Sequence, residues 1–134
     1  MIIYTSDYKA ITFQAEDSLL ITRWKPSTES LDDDKLKEEI KRSLELIKKH
    51  RPQSILINTI DFNYIIVPEI QEWFDNEVFT VYPEAGVQKK AFLVSKDLFA
   101  QVSLTQHVDD IEHRTFESAF FDNEAKAIEW LQAS

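Results

Sequence analysis

The chain has 134 residues, of which 43% are hydrophobic, which is enough for one domain with a packed core and argues against disorder. Its 24 acidic and 15 basic residues give a net charge of −9, which disfavours binding to nucleic acid or to an anionic membrane because both require basic patches. The absence of cysteine excludes disulfides, thiolate nucleophiles and cysteine-based metal sites, and the single glycine excludes glycine-rich phosphate loops.

The apolar runs are much shorter than a membrane span, and the first ten residues lack a basic segment followed by a long apolar run. We therefore expect a cytoplasmic protein without a membrane span or signal peptide. The acidic balance favours solubility and is compatible with a basic partner.

The chain begins with a predicted antiparallel hairpin. Its strands are Lys9–Phe13 and Ser18–Trp24. In the first, Ile11 and Phe13 alternate with Thr12 and Gln14, which is typical of a half-buried strand; in the second, Leu19 and Ile21 face one way and Leu20, Thr22 and Trp24 the other. The polar turn 15–17 is short enough to connect them as neighbours. Met1–Tyr4 is expected to add a short segment at the edge of the sheet.

The first helix is predicted from about Asp32 to His50. Its apolar stripe consists of Leu36, Ile40, Leu44 and Ile47, which recur at helical spacing. Aspartates in its first turn and Lys48, Lys49 and His50 in its last turn complement the helix dipole. Pro52 prevents the helix from continuing.

The centre of the chain predicts a strand, a loop and a second helix. The strand covers Ser54–Thr59, the loop covers Ile60–Val67, and the helix runs from Pro68 to about Val81. Residues 83–86 are expected to form the turn that leaves this helix. The loop is of interest because ligands and partners often bind at the carboxyl ends of strands in an α/β sheet.

The remaining residues predict two further strands, each followed by a helix. Lys89–Ser95 is a strand with an apolar centre, and Lys96–Leu104 is a short third helix capped by Ser95. Thr115–Phe121 is the last strand. The final helix is capped by Asp122 or Asn123 and ends near Gln132.

The predicted order is β-β-α-β-α-β-α-β-α. A hairpin followed by repeated strand–helix units indicates a single α/β domain over residues 1–134, with a mixed, mostly parallel sheet flanked by helices.

Three segments carry a resemblance to the STAS and CRAL-TRIO type of α/β domain, which includes the anti-sigma-factor antagonists. They are ILINTIDFNYIIVPEIQEWF at 55–74, KKAFLVSKDLF at 89–99 and FFDNEAKAIEWL at 120–131. The chain resembles a small stand-alone bacterial branch of uncharacterised proteins. The resemblance implies a STAS-like fold and a surface after the central strand on which a partner protein docks.

The resemblance also implies a phosphorylatable serine after the central strand, and this chain departs from that pattern. No serine or threonine lies between Thr59 and Pro68, and Thr59 still belongs to the end of the strand. A phosphorylation switch is therefore not expected at this position, although the docking surface is.

The candidate partner- or ligand-binding residues lie in the loop after the central strand. They are Asp61, Phe62, Asn63, Tyr64, Ile65 and Ile66. If the large apolar side chains are exposed, they form a patch suited to a partner protein, a second subunit or a lipophilic ligand. The alternative is that the loop folds back and these side chains cover the core, while Asp61 and Asn63 stabilise turns.

The sequence provides little evidence for metal binding or catalysis. The densest cluster of possible metal ligands is His107, Asp109, Asp110, Glu112 and His113, but its spacing matches no established metal motif and favours a solvated loop. No G-x-S-x-G elbow is present. We expect neither a cofactor nor a metal, and we do not expect an enzyme.

Two functions remain open from the sequence. The first is a non-catalytic interaction domain that binds an unidentified protein, or a second copy of itself, through the 60–67 loop and the exposed side of the second helix. The second, by fold analogy with lipid-transfer relatives, is a small carrier for a lipophilic ligand, with a cavity lined by residues such as Phe62, Ile66, Phe74 and Phe99.

Overall fold

The computed structural model describes residues 1–64, 67–96 and 116–133. The strands are β1 (Ile2–Thr5), β2 (Lys9–Gln14), β3 (Leu19–Trp24), β4 (Ser54–Asn58), β5 (Lys89–Leu93) and β6 (Glu117–Phe121). The helices are α1 (Asp33–His50), α2 (Pro68–Ala85) and α3 (Glu124–Gln132), with short 3-10 turns at Ala15–Asp17 and Pro26–Ser30.

The six strands form one mixed sheet in the order of the chain, from β1 to β6. The pairs β1–β2 and β2–β3 are antiparallel, whereas β3, β4, β5 and β6 are parallel to one another. The predicted α/β class and mostly parallel sheet are confirmed. The segment at the N-terminus is a true edge strand, so the sheet begins with three strands and not with the two of the predicted order.

Helices cover both faces of the sheet. The face formed by Ile11, Leu20 and Ile55 packs against α1 and α2, and this is the larger part of the core. The opposite face, with Leu56 at its centre, packs against α3. Alternate residues of the buried strands therefore meet different helices.

Helix α1 follows its sequence pattern closely. The four residues of its predicted apolar stripe are all buried. Asp32 is the N-cap, and its side chain accepts a hydrogen bond from the backbone N–H of Lys35 at 2.8 Å. Arg51 ends the helix in the left-handed region at φ 50°.

Helix α2 is longer than predicted, because it continues through Pro83 to Ala85 and does not end near Val81. Pro83 lies in the last turn, where its missing N–H removes only one helical hydrogen bond. Ala85 is buried, so the extra turn adds apolar contact with the core. The helix ends at Gly86, whose φ of 84° suits glycine, and the N–H of Val87 donates to the carbonyl of Tyr82 at 3.0 Å.

The final helix is capped by Asn123, one of the two predicted caps, whose side chain accepts from the N–H of Lys126 at 3.1 Å. The predicted third helix at 96–104 and the polar segment 106–114 fall almost entirely outside the described residues. Within residues 1–64, 67–96 and 116–133, none of the helices combines the length and the apolar character needed to cross a bilayer.

Candidate functional site

A cavity of about 710 Å³ lies between the sheet and the helices α1 and α2. This volume falls within the range of pockets that hold drug-sized ligands. The walls are formed mainly by apolar side chains of the two helices and the sheet: Leu36, Ile40, Leu44 and Ile47 of α1, Ile70, Phe74, Val78 and Tyr82 of α2, and Ile55, Ile57, Phe92 and Phe120 of the sheet.

The register of the parallel strands explains why these sheet residues share one wall. Thr22 pairs with Ile57, Ile57 with Phe92, and Phe92 with Phe120, so one row of side chains crosses β3 to β6. The rings of Phe92 and Phe120 stack with centroids 5.2 Å apart. A second row, two residues nearer the amino ends of the strands, joins Ile55, Lys90 and Ser118.

Lys90 places a buried cation in this second row. The residue is 4% exposed and lines the cavity. Its Nζ lies 4.5 Å from the ring centre of Phe92, 4.9 Å from that of Phe74 and 5.0 Å from that of Tyr82. The faces of aromatic rings stabilise a cation in apolar surroundings, so these rings support a charged side chain on an apolar wall.

The loop after β4 folds back towards the cavity. Phe62 is half-buried, lines the cavity and packs edge-on against Trp24, with ring centroids 5.0 Å apart. Tyr64 is also half-buried and lines the cavity. The aromatic side chains of this loop are therefore part of the cavity wall and not a freely exposed patch.

The Tyr64 hydroxyl donates a hydrogen bond to the carboxylate of Asp33 in the first turn of α1. This bond raises the pKa of Tyr64 to about 12, because ionisation of the hydroxyl would place two negative charges side by side. The contact links the loop to α1 across one end of the cavity.

The polar residues of the loop are positioned by the 3-10 turn at Pro26–Ser30. The N–H of Asn63 donates to the hydroxyl of the buried Thr28 at 2.8 Å, and the Asn63 side chain donates to the carbonyl of Pro26 at 3.4 Å. Asp61 and Asn63 are exposed, and the Thr28 hydroxyl lies 3.4 Å from the carbonyl of Asp61. Ile65 and Ile66 lie outside the described residues.

Of the four residues expected to line a carrier cavity, Phe62 and Phe74 do line it, and Ile66 and Phe99 fall outside the part of the chain that the structure describes. Thr59 also lines the cavity, and its hydroxyl donates to the carbonyl of Leu93 at 3.0 Å.

A buried polar network lies beside the cavity, at the start of β2. Lys9 is 0% exposed, and its Nζ donates to the carbonyl of Glu39 and to the hydroxyl of Ser43, which lines the cavity. The Glu39 carboxylate lies 3.8 Å from this Nζ and accepts hydrogen bonds from Tyr4 and Ser6. Burial lowers the pKa of Lys9 to about 7, and the nearby Glu39 charge opposes that shift.

No three His, Asp or Glu side chains in the described ranges lie close enough together to hold a metal ion. The cluster considered from the sequence, at positions 107–113, lies outside those ranges.

Sequence reasoning missed Lys9, Thr28 and Lys90. Two signals pointed to the lysines. Lys9 shares the period-two face of Ile11 and Phe13, and one of the adjacent Lys89 and Lys90 must face each covered side of a strand with helices on both faces. No sequence signal distinguishes Thr28 from other loop threonines.

Comparison of the chain with protein families, with curated proteins and with solved structures finds no match. The STAS-like resemblance therefore stays a prediction, and arguments about function depend on the geometry described above.

Proposed function

We propose that this protein binds a lipophilic small molecule in the cavity between the sheet and the helices α1 and α2, and acts as a carrier or sensor of that molecule. The observation that carries the proposal is a cavity of about 710 Å³ with mainly apolar walls inside a domain of this size. Clefts of this volume with mainly apolar walls are the usual binding sites for small lipophilic molecules.

The arrangement of the loop also supports binding. Phe62 and Tyr64 come from the loop at the carboxyl end of β4, where α/β sheets commonly bind ligands. Gln71 and Asp75 line the same cavity and are exposed on α2, so the cavity reaches the surface of the protein there.

Native mass spectrometry of untagged protein, purified gently from its expression host, is the first test. A reproducible additional mass that is lost on denaturation is the expected result. The second test is titration of delipidated protein with Nile red, a neutral lipophilic dye whose fluorescence rises in apolar surroundings. A bare mass together with no dye binding would contradict the proposal.

A pair of variants on β6 connects dye binding to the cavity. Ser118→Leu adds apolar volume inside the cavity and should weaken dye binding strongly without lowering the thermal midpoint. Glu117→Leu adds the same side chain at the adjacent exposed position and should leave binding unchanged. Equal loss in both variants would place the dye elsewhere.

We propose association through the 60–67 loop as a second function, because the two described residues at the ends of this loop are apolar and exposed. Ile60 is 47% exposed and Val67 is 38% exposed, and the neighbouring side of α2 carries the exposed acids Glu69, Glu72 and Asp75. The occupant that is directly testable is a second copy of the chain.

Sedimentation equilibrium over a concentration series tests this second function. Ile60→Ser should shift a monomer–dimer equilibrium towards the monomer, and Ile2→Ser, which removes an exposed apolar side chain from the edge strand β1, is the control. A monomer at all concentrations would remove self-association and leave only a different protein as partner.

A further inference from the structure

We propose that the ligand of the cavity is an uncharged amphiphile whose polar group is an alcohol or an ester, and that this group forms a hydrogen bond with the hydroxyl of Thr22. The inference rests on the proposed ligand-binding function and goes further by naming the chemical class of the ligand. Two features carry it: the hydroxyl of a deeply buried residue on the cavity wall, and the distribution of charge around the cavity.

Thr22 lies in the row of side chains that crosses the sheet from β3 to β6. It lines the cavity and is 4% exposed. Its neighbours across the strands are Ile11 and Ile57, and Leu20 and Trp24 flank it along β3 on the same face. These neighbours surround the residue with mainly apolar surface, so packing alone does not explain a hydroxyl at this position.

The Thr22 hydroxyl takes part in none of the hydrogen bonds among the described residues. Its oxygen is not enclosed by neighbouring atoms, so it is open to the cavity that the residue lines. Ser43, Thr59 and Tyr64 also line the cavity, and each forms a hydrogen bond within the protein; Ser118, which forms none with the described residues, is less buried than Thr22. A buried hydroxyl without a partner costs free energy, so a hydrogen bond from a ligand is favourable at Thr22.

The chemistry of a hydroxyl selects an uncharged polar group. It can donate one hydrogen bond and accept others, so it pairs with the oxygen of an alcohol or of an ester and requires no opposite charge. An ionised head group would instead lose its hydration beside an apolar wall, which costs far more free energy than the burial of a neutral group.

The charges around the cavity also favour an uncharged ligand. Asp75 is the one acid among the described lining residues, and it is exposed on α2, so the buried part of the described wall has no carboxylate to pair with a cationic ligand. Asp75 lies where the cavity reaches the surface, beside the exposed Glu72, and these acids disfavour the entry of an anion. The Lys90 ammonium has partners within the protein, so its charge is no reason to expect an anionic ligand.

Calorimetric titration of delipidated protein with four ligands of similar chain length tests the inference: decanol, methyl nonanoate, decanoate and decyltrimethylammonium, each below its solubility limit and micellar concentration. At neutral pH the first two are uncharged, the third is anionic and the fourth is cationic. We expect each uncharged ligand to bind about tenfold or more tightly than either ion, because only the ions lose the hydration of a full charge.

Two substitutions connect the polar group of the ligand to Thr22. Thr22→Val removes the hydroxyl and keeps the shape of the side chain, so it should weaken the binding of both uncharged ligands by about fivefold, the contribution of one hydrogen bond. Thr22→Ser keeps the hydroxyl and should retain most of the affinity. Thr12→Val is the matched control, since Thr12 pairs with Ile21 on the opposite face of the sheet, and it should leave binding unchanged.

Thermal unfolding without ligand distinguishes a binding role from a structural one. Thr22→Val should not lower the thermal midpoint, because no hydrogen bond among the described residues is lost. A lowered midpoint together with unchanged affinity for decanol would show that the hydroxyl stabilises the fold, and would overturn the inference. If Thr22→Val does not fold, Thr22→Ala removes the same hydroxyl and permits the same comparison of ligands.

The remaining outcomes separate this inference from the proposed function. Equal affinity of the unaltered protein and Thr22→Val for decanol and for methyl nonanoate overturns the role of Thr22, and binding of decanoate as tightly as decanol overturns the preference for an uncharged ligand. Either result leaves the cavity as a binding site. Binding of none of the four ligands, by protein that is folded and delipidated, overturns the inference together with the proposed function.

Discussion

Two lysines on the same face of the sheet are buried, and the Nζ of each lies over aromatic rings, which for Lys9 include that of Trp24. Lys9 donates to oxygen atoms of α1 and lies near a carboxylate, so protein groups surround its ammonium. Lys90 faces aromatic rings on a cavity wall. Burial of a lysine is costly unless nearby groups compensate for the lost hydration, so we expect each buried lysine to have a specific role. The role of Lys9 is structural, because its hydrogen bonds join β2 to α1.

The lowered pKa of Lys9 predicts how stability depends on pH. In the unfolded chain this amine has an ordinary pKa of 10.5, and in the folded protein burial lowers the pKa to about 7. Between these values the unfolded chain binds a proton that the folded protein does not. The free energy of unfolding therefore rises with pH through this window, by up to about 1.4 kcal/mol per pH unit.

Urea denaturation from about pH 6.5 to about pH 9.5 measures this rise, below the range in which tyrosines ionise in the unfolded chain. Lys9→Met should flatten the profile, and Lys48→Met, at an exposed position of α1, should retain it. A profile that is unchanged in Lys9→Met would show that another group causes the dependence. Above pH 10, the raised pKa of buried Tyr82 acts in the opposite direction and lowers stability.

A second prediction at this scale concerns Thr28, which is fully buried and accepts from the N–H of Asn63 at 2.8 Å. Thr28→Val leaves this N–H without its acceptor, so we expect the free energy of unfolding to fall by about 1–2 kcal/mol. Thr28→Ser keeps the hydroxyl and should lose less. Nile red binding should weaken in Thr28→Val, because Phe62 and Tyr64 belong to the same loop; unchanged binding would show that the loop is held by other contacts.

The secondary-structure elements are specified mainly by their ends and their apolar faces. Helix α1 has an aspartate cap, acidic residues in its first turn and basic residues in its last turn. Helix α2 has a proline in its first turn and a glycine after its last residue. Both helices end with a residue in the left-handed region, which is Arg51 for α1 and Gly86 for α2. This difference permits a reciprocal test.

Removing the glycine after α2 and introducing a glycine after α1 should change stability in opposite directions. Gly86→Ala forces a side chain into the left-handed region and should lower the free energy of unfolding by about 1 kcal/mol, although a Cβ meets no atom within 4 Å. Arg51→Gly removes the cost of holding a side chain in the left-handed region and should raise the free energy of unfolding by up to about 1 kcal/mol. Thermal unfolding of both variants is the measurement, and shifts of the same sign would contradict the backbone explanation.

The two faces of the sheet differ in how completely they are packed. Leu56 is 0% exposed and belongs to the cluster under α3, whereas the adjacent Ile57 is half-buried and borders the cavity. The cost of truncating a buried side chain includes the contacts that it loses, and a residue that already borders a void has fewer contacts to lose. The cavity therefore has a measurable effect on stability.

In delipidated protein, Leu56→Ala should lower the free energy of unfolding by about 3 kcal/mol and Ile57→Ala by clearly less. Chemical denaturation of both variants checks the difference. A bound ligand should restore contacts around Ile57 and stabilise the folded protein in proportion to its concentration. Equal losses in the two variants without ligand would show that the cavity is filled in solution.

Local patterns in the sequence were sufficient for most elements. The apolar stripe of α1, the strands β2 and β3, and the cap at Asn123, one of the two predicted, each depend on neighbours within a few positions, and the structure contains all of them. Helix α2 extends past the end near Val81 that its sequence predicts, because the buried Ala85 and the cap at Gly86 favour one more turn despite Pro83. The rule that proline disfavours a helix interior considers only neighbouring residues, so it does not include the tertiary contacts that favour one more turn.

The candidate site depended on contacts between distant residues. The sequence identified Phe62 and Tyr64 as unusual for a loop, but their direction was settled by Trp24 and Asp33, each more than 30 positions away. Likewise, Lys90 could be expected to face a covered side of the sheet, but not to line a cavity.

By itself, the sequence determined the α/β class, the largely parallel sheet and the buried faces of the helices, because periodicity and capping act over short distances along the chain. Only the tertiary structure decided that Phe62 and Tyr64, in the loop after β4, line a cavity and that two lysines are buried. The physical reason is that a cavity is the volume left between the side chains of α1, α2 and four strands after they pack. That volume depends on residues far apart in the sequence, so no short segment can predict it.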